Sequence, residues 1–115
     1  MIKKVEATIR KEKLSDVDGA LKEVGVSGLT FFEVEGRGRA KGMEMVSGRG
    51  AATYHPEYIE RVKLEVLSKE GDVKKVVGAI AKSAKTGEVG DGKILVLSLD
   101  DAWDITSGTS GPDAV

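Results

Sequence analysis

The sequence contains no cysteine and one histidine, His55. The first absence excludes disulfides, cysteine nucleophiles and thiolate metal centres, and it fits a reducing compartment. The second means that neither an HExxH helix nor a two-histidine zinc site can be built from one chain. His55 precedes Pro56, which reads as a loop end and not as a catalytic base. No apolar run approaches the roughly 20 residues of a membrane span, and Met1 to Lys4 does not lead into a signal-peptide core, so a cytoplasmic protein is expected. Aromatic residues make up only 4% of the chain, so the core is expected to be aliphatic. The formal charge is −1 and the pI about 5.9, which argues against nucleic-acid binding, since a polyanionic partner demands a basic domain.

What is present describes one folded domain over residues 1–115. The chain is 40% hydrophobic and 32% charged with a mean hydropathy of −0.18, ordinary for a globular domain and too apolar for a disordered one. Charge is unevenly placed. Arg37, Arg39, Lys41 and Arg49 stand against Glu44 in the middle, whereas Asp100, Asp101, Asp104 and Asp113 lie in a C-terminal segment (100–115) without Lys or Arg. The middle is the anion-seeking part.

Val5, Ala7 and Ile9 alternate with Lys4, Glu6, Thr8 and Arg10, the period of a strand with one wet face. Val17, Ala20, Leu21 and Val24 follow at helical spacing, with Ser15 as the expected N-cap and Gly25 as the stop. Leu29 to Val34 and Ile59 to Leu67 read as the second and third strands. Val73, Val76, Val77, Ile80 and Ala84 mark a second helix entered through Gly71-Asp72. Lys93 to Leu99 is a short apolar run that reads as a buried central strand. The order βαββαβ predicts an α+β, ferredoxin-like fold: an antiparallel four-stranded sheet with both helices on one face. The other face then needs a cover, which predicts a symmetric homo-oligomer. Trp103 reads as a packing residue, and Asp16 with Asp18 as part of a solvated helix face.

Between the second and third strands the 22 residues from Gly36 to Glu57 hold five glycines. A connection of that length in a compact domain points to function. It opens with Gly36-Arg37-Gly38-Arg39-Ala40-Lys41-Gly42, in which the third glycine falls one residue late for a dinucleotide fingerprint and no helix pattern follows. What remains is a close backbone approach beside three cations, suited to phosphate or carboxylate. A second glycine cluster, Gly87-Glu88-Val89-Gly90-Asp91-Gly92-Lys93, matches the start of a P-loop, but Ile94 stands where a magnesium-binding hydroxyl belongs and the segment runs from helix to strand. Its N–H groups can still form a nest for phosphate. The plainer alternative is a helix C-cap on Gly87 followed by a tight turn. No set of residues reads as catalytic and none as a metal site.

Thr86 to Lys93, together with Gly38-Arg39-x-Lys41-Gly42 and Gly28-Leu29-Thr30, resembles the PII signal-transduction proteins, and the resemblance runs from Ile2 to about Gly108. It implies a barrel-shaped trimer with nucleotide sites in clefts between subunits, acting by binding and not by turnover. Gly36, Arg37, Gly38, Arg39 and Lys41 at the loop base, with Thr86, Gly87, Gly90, Asp91, Gly92 and Lys93 in the turn, would then hold the phosphates of ATP, ADP or AMP. Thr30 would lie near the base or ribose. Lys41 and Arg61 would meet 2-oxoglutarate or another anion. Residues 36–57 would form the loop that contacts an ammonium transporter or an enzyme of nitrogen metabolism, with Arg49 resembling a channel-plugging arginine and Tyr54 near a modifiable tyrosine. Membrane association would come only through such a transporter.

The sequence also departs from the family pattern. Ala40 replaces the Gln that ligands a magnesium bridging ATP and 2-oxoglutarate, which argues against metal-bridged sensing. Arg61 replaces a Lys, which keeps the cation and changes its geometry. Asp104 and Thr106 replace two basic residues expected to reach a neighbour's phosphates, so ADP or AMP is expected in preference to ATP. A small-anion sensor for 2-oxoglutarate or bicarbonate is the main alternative. An acylphosphatase-type enzyme is disfavoured by the long loop and by the lack of an arginine-asparagine phosphate cradle.

Overall fold

The computed structural model describes residues 1–38, 45–46, 53–54 and 58–115, with backbone alone at 45–46 and 53–54. Strands β1 (Ile2–Arg10), β2 (Thr30–Gly36), β5 (Ile59–Lys69) and β6 (Gly92–Leu99) form one antiparallel sheet in the order β2-β5-β1-β6. Helices α1 (Leu14–Glu23) and α2 (Val73–Ala84) complete the βαββαβ order. Strands β3 (Met45–Val46) and β4 (Thr53–Tyr54) form a separate two-residue ladder within the long connection.

Period-two alternation sorts the sheet's side chains between its faces. Val5, Ala7 and Ile9 of β1 and Val62, Leu64 and Val66 of β5 are buried against Val17 and Leu21 of α1 and Val76, Ile80 and Ala84 of α2. Both helix stripes therefore serve one aliphatic core, as their spacing predicts. Helix α1 ends on a Schellman pair, with the Gly25 N–H donating to Lys22 O at 3.1 Å and the Val26 N–H to Leu21 O at 3.0 Å. Gly25 takes φ +90, the left-handed conformation that this stop requires.

Four expectations are corrected. Ser15 is not the N-cap: a 3₁₀ turn at Lys11–Lys13 leads directly into α1, which places Ser15 inside the helix. Gly87 is not a helix C-cap, because α2 ends at Ala84 and Lys85 is already extended. The apolar run 93–99 is not a central strand; among the described residues β6 is an edge, paired with β1 alone. Its apolarity serves exposed surface instead, since Leu95 and Leu97 remain 53% and 38% accessible. Trp103 is not packed in the chain, being 68% exposed. Asp16 and Asp18 do stand on a solvated face, 3.8 Å from Lys13 and 3.2 Å from Lys22 respectively.

The helix-free face is largely charged. Glu6 and Glu65 lie directly opposite one another, an unfavourable pairing by itself. Lys4 resolves it by reaching both, at 2.8 Å and 3.2 Å, and Lys63 stands 3.6 Å from Glu6. Hydrogen bonding to Glu6, then to Glu65, raises the Lys4 ammonium above its ordinary value, and Lys4 in turn holds Glu6 below its own.

Candidate functional site

The two glycine corners singled out in the sequence meet in space. Gly36, Arg37 and Gly38, at the end of β2, face Gly90, Asp91, Gly92 and Lys93 across an open cleft of about 700 Å³. Its floor is the wet face of the sheet, with Glu6 and Thr8 from β1 and Arg61 and Lys63 from β5. The register explains the convergence. Thr8 pairs with Lys63 on one side and Lys93 on the other, so cations from β5 and β6 flank it in one row. Lys63 also lies over the Phe32 ring, 5.8 Å from its centroid.

Asp91 organises the turn. Its Oδ2 accepts the N–H groups of Thr86 and Gly87, each at 2.9 Å, and its Oδ1 accepts the Thr86 hydroxyl and Arg10 Nε. The Thr86 hydroxyl oxygen in turn accepts the Glu88 N–H at 3.1 Å. Chiefly through the Thr86 hydroxyl, and then the two backbone donors and Arg10, the Asp91 carboxyl is held far below the usual carboxylate range. Asp91 is thus a fixed anion inside the turn with both oxygens engaged. Gly87, Gly90 and Gly92 have φ of +91, +101 and +112, so all three glycines carry backbone that other residues rarely adopt.

Two arginines brace the turn from the sheet. Arg10 donates from Nη2 to the Val89 carbonyl at 3.1 Å, and Arg61 from Nη1 to the Gly90 carbonyl at 2.6 Å. The two are opposite each other in β1 and β5. Burial, and after it the nearby Arg10 charge, pushes the Arg61 guanidinium below its ordinary value. A partly desolvated cation beside a like charge is receptive to an added anion.

The remaining sequence candidates separate. Thr86 and Gly87 brace Asp91 and do not line the cleft. Thr30 lies at the far end of β2 from Gly36, about 20 Å away at the usual rise per residue. It lines a second hollow of about 600 Å³ with Gly28, Leu29, Glu65, Leu67 and Val115. Arg39, Lys41, Arg49, Ala40 and His55 lie outside the described residues, as does the Tyr54 side chain. Among the described residues no group of His, Asp or Glu is placed to hold a metal ion. Sequence reading missed Arg10 and Lys63, whose only local signal is membership of the polar half of a strand alternation.

The C-terminal segment braces itself. Asp104 Oδ1 accepts the Ser107 N–H at 2.8 Å and the Ser107 hydroxyl at 3.1 Å, and Asp101 Oδ1 accepts the Gly111 N–H at 3.0 Å. These bonds, the Ser107 N–H foremost, keep the Asp104 carboxyl below its ordinary range. The turn leaves Ile105 fully exposed at 101%.

The architecture is a ferredoxin-like sheet carrying a cationic, glycine-walled cleft, chemically suited to an anion, at the base of a long connection. Comparison with known proteins makes this specific. The family model described as Nitrogen regulatory protein P-II matches residues 2–109, and the chain belongs to that family. It is 41% identical to the Nitrogen regulatory protein P-II of Bradyrhizobium diazoefficiens, over 99% of this chain and 100% of the relative. It is 42% identical to Nitrogen regulatory protein P-II 2 of Methanothermobacter thermautotrophicus, over 99% and 97%. Among solved structures, Arabidopsis thaliana PII bound to citrate superposes with a TM-score of 0.80 at 32% identity, covering 99% of this chain and 92% of that one. The B. subtilis GlnK structure superposes equally well, with a TM-score of 0.80 at 30% identity over 99% and 98%.

Proposed function

We propose that this P-II protein is a homotrimer that binds an adenine nucleotide in clefts between protomers and reports nitrogen or energy status through residues 36–57 to an ammonium transporter or a nitrogen-metabolism enzyme. It acts by binding, without turnover, in the cytoplasm, and reaches a membrane only through a transporter partner. The observation that carries this reading is the convergence of Gly36–Gly38 with Gly90–Lys93 above Arg61 and Lys63. Glycine backbone beside several cations suits a phosphate chain, which no single exposed lysine would hold in register. The Thr30 hollow supplies the complementary half: a base gripped there belongs to the cleft of the neighbouring protomer. Leu95, Leu97 and Ile105 are the apolar surface available for closing such a ring.

ADP or AMP is bound in preference to ATP, because Asp104 and Thr106 occupy the positions from which the family pattern sends cations to a neighbour's phosphates. An anion there reverses the sign of the interaction with the outermost phosphate. Calorimetry with ATP, ADP and AMP, with and without magnesium, tests this directly. Much tighter ATP binding in the absence of magnesium overturns the preference, and no binding of any of the three overturns the nucleotide reading.

A second reading, a carboxylate or bicarbonate sensor in which nucleotide is incidental, is favoured by Arg61 in the cleft and by the citrate named with the Arabidopsis relative. Titration with 2-oxoglutarate, citrate and bicarbonate in the absence of nucleotide decides it. Binding that disappears in Arg61→Ala supports this reading.

A further inference from the structure

The 86–91 turn is gripped by guanidiniums at two successive carbonyls, Val89 O by Arg10 and Gly90 O by Arg61. In a planar trans peptide the C=O of one residue and the N–H of the next point in opposite directions. Holding the Val89 carbonyl therefore aims the Gly90 N–H away from Arg10, and holding the Gly90 carbonyl aims the Asp91 N–H away from Arg61. The turn itself does not impose this setting. Gly90 sits at φ +101, and a peptide flanked by glycine reorients at low steric cost. Turned over, the 89–90 peptide would present a carbonyl oxygen where its N–H now stands, and an anion would meet negative partial charge.

Hydrogen bonding within the turn sharpens the point. The N–H groups of Thr86, Gly87 and Glu88 are taken up by Asp91 and the Thr86 hydroxyl. Among the described residues, those of Val89 and Gly90 make no hydrogen bond, while the Asp91 N–H closes the turn over Val89–Gly90. These two are the donors left for a ligand. Arg10 also fixes Asp91 itself, through Nε at 3.1 Å, and so holds the turn at two points with one planar fork. Unlike Arg61, Arg10 does not line the cleft, so its influence on a ligand must pass through the turn.

We propose that Arg10 is a positioning residue: by holding Val89 O and Asp91 together it keeps the 89–90 peptide in the orientation in which the turn accepts an anionic oxygen. This rests on reading the cleft as a phosphate site. The test compares the full chain with Arg10→Ala and Arg10→Lys, the latter keeping the charge but not the two-point fork. Residual dipolar couplings report the Gly90 and Asp91 N–H directions, and calorimetry reports ADP and pyrophosphate affinity. In Arg10→Ala the Gly90 coupling should change while those of β1 and β6 persist, and ADP affinity should fall about tenfold or more, the scale of a lost charge-assisted bond. Arg10→Lys should fall between. An unchanged Gly90 coupling in Arg10→Ala overturns the proposal, and so does a changed coupling with undiminished ADP affinity. If the unmodified chain binds neither ADP nor pyrophosphate, the phosphate reading fails, and the Gly90 coupling alone then decides the role of Arg10. Should Arg10→Ala not fold, Arg10→Lys carries the test, and wild-type coupling and affinity in that variant overturn the proposal.

Discussion

Gly92 lies so close to Thr8 that a Cβ built on it would stand 1.8 Å from the Thr8 carbonyl oxygen. This contact joins the ligand-side turn to the central strand β1 at the residue where β6 begins, and φ +112 makes the position doubly restrictive. Gly92→Ala should therefore cost roughly 3 kcal/mol or more, since left-handed strain and a backbone clash add. Gly87→Ala, with φ +91 but open space around it, should cost only about 1–2 kcal/mol. Urea denaturation of both variants checks the ranking. Equal losses would mean that the Thr8 contact relaxes freely.

Asp91 predicts an acid-sensitive turn. Its pKa is lowered by folding, so its stabilising contribution is complete above the ordinary carboxyl value of 3.8 and is lost as pH falls below it. Asp91→Asn lacks this contribution at every pH. The stability gap between wild type and Asp91→Asn should therefore be widest near about pH 6 and shrink toward about pH 2.5. A gap that stays constant across thermal melts in that range would remove the carboxylate from the account.

Asp104 combines a free-standing charge with a turn-forming hydrogen bond. Asp104→Asn keeps an acceptor for the Ser107 N–H and removes the charge, whereas Asp104→Arg removes both and adds a cation. ATP affinity should rise relative to ADP in both, modestly in the first and about tenfold in the second. Equal gains for the two nucleotides would detach Asp104 from the outer phosphate.

Leu95 and Leu97 stand exposed on the helix-free side of an edge strand. An introduced carboxylate there would be forced into any buried ring interface at a cost of several kcal/mol. Leu95→Asp should accordingly shift the mass measured by light scattering from that of the proposed trimer toward one chain, with the secondary structure seen by circular dichroism retained. An unaltered mass would move the ring contact elsewhere.

The parts legible in the sequence are those written locally. The i, i+3, i+4 stripes of Val17–Val24 and Val73–Ala84, and the stop at Gly25, need only neighbours along the chain. The two glycine corners were visible because their composition is unusual, and their convergence follows once Thr8 is seen to pair with both Lys63 and Lys93. Arg10 was not legible as a brace, since its partner Asp91 is 81 residues away and a strand-end arginine looks like any solvated cation. The run 93–99 misled for a physical reason. Apolar side chains on both faces mark a buried strand, but they equally mark an edge meant for another copy. Ser15 misled because a 3₁₀ turn had already begun the helix before it.

Strand β2 runs from one hollow to the other, with Gly36 at the glycine-walled cleft and Thr30 at the opposite one. In a ring where each ligand spans two chains, a lesion at either end spoils a different crevice. Chains carrying Lys93→Ala and chains carrying Thr30→Ala, each inert when assembled separately, should then rescue one another when unfolded and refolded together. Such complementation would mark the protomer boundary without any bound molecule being seen.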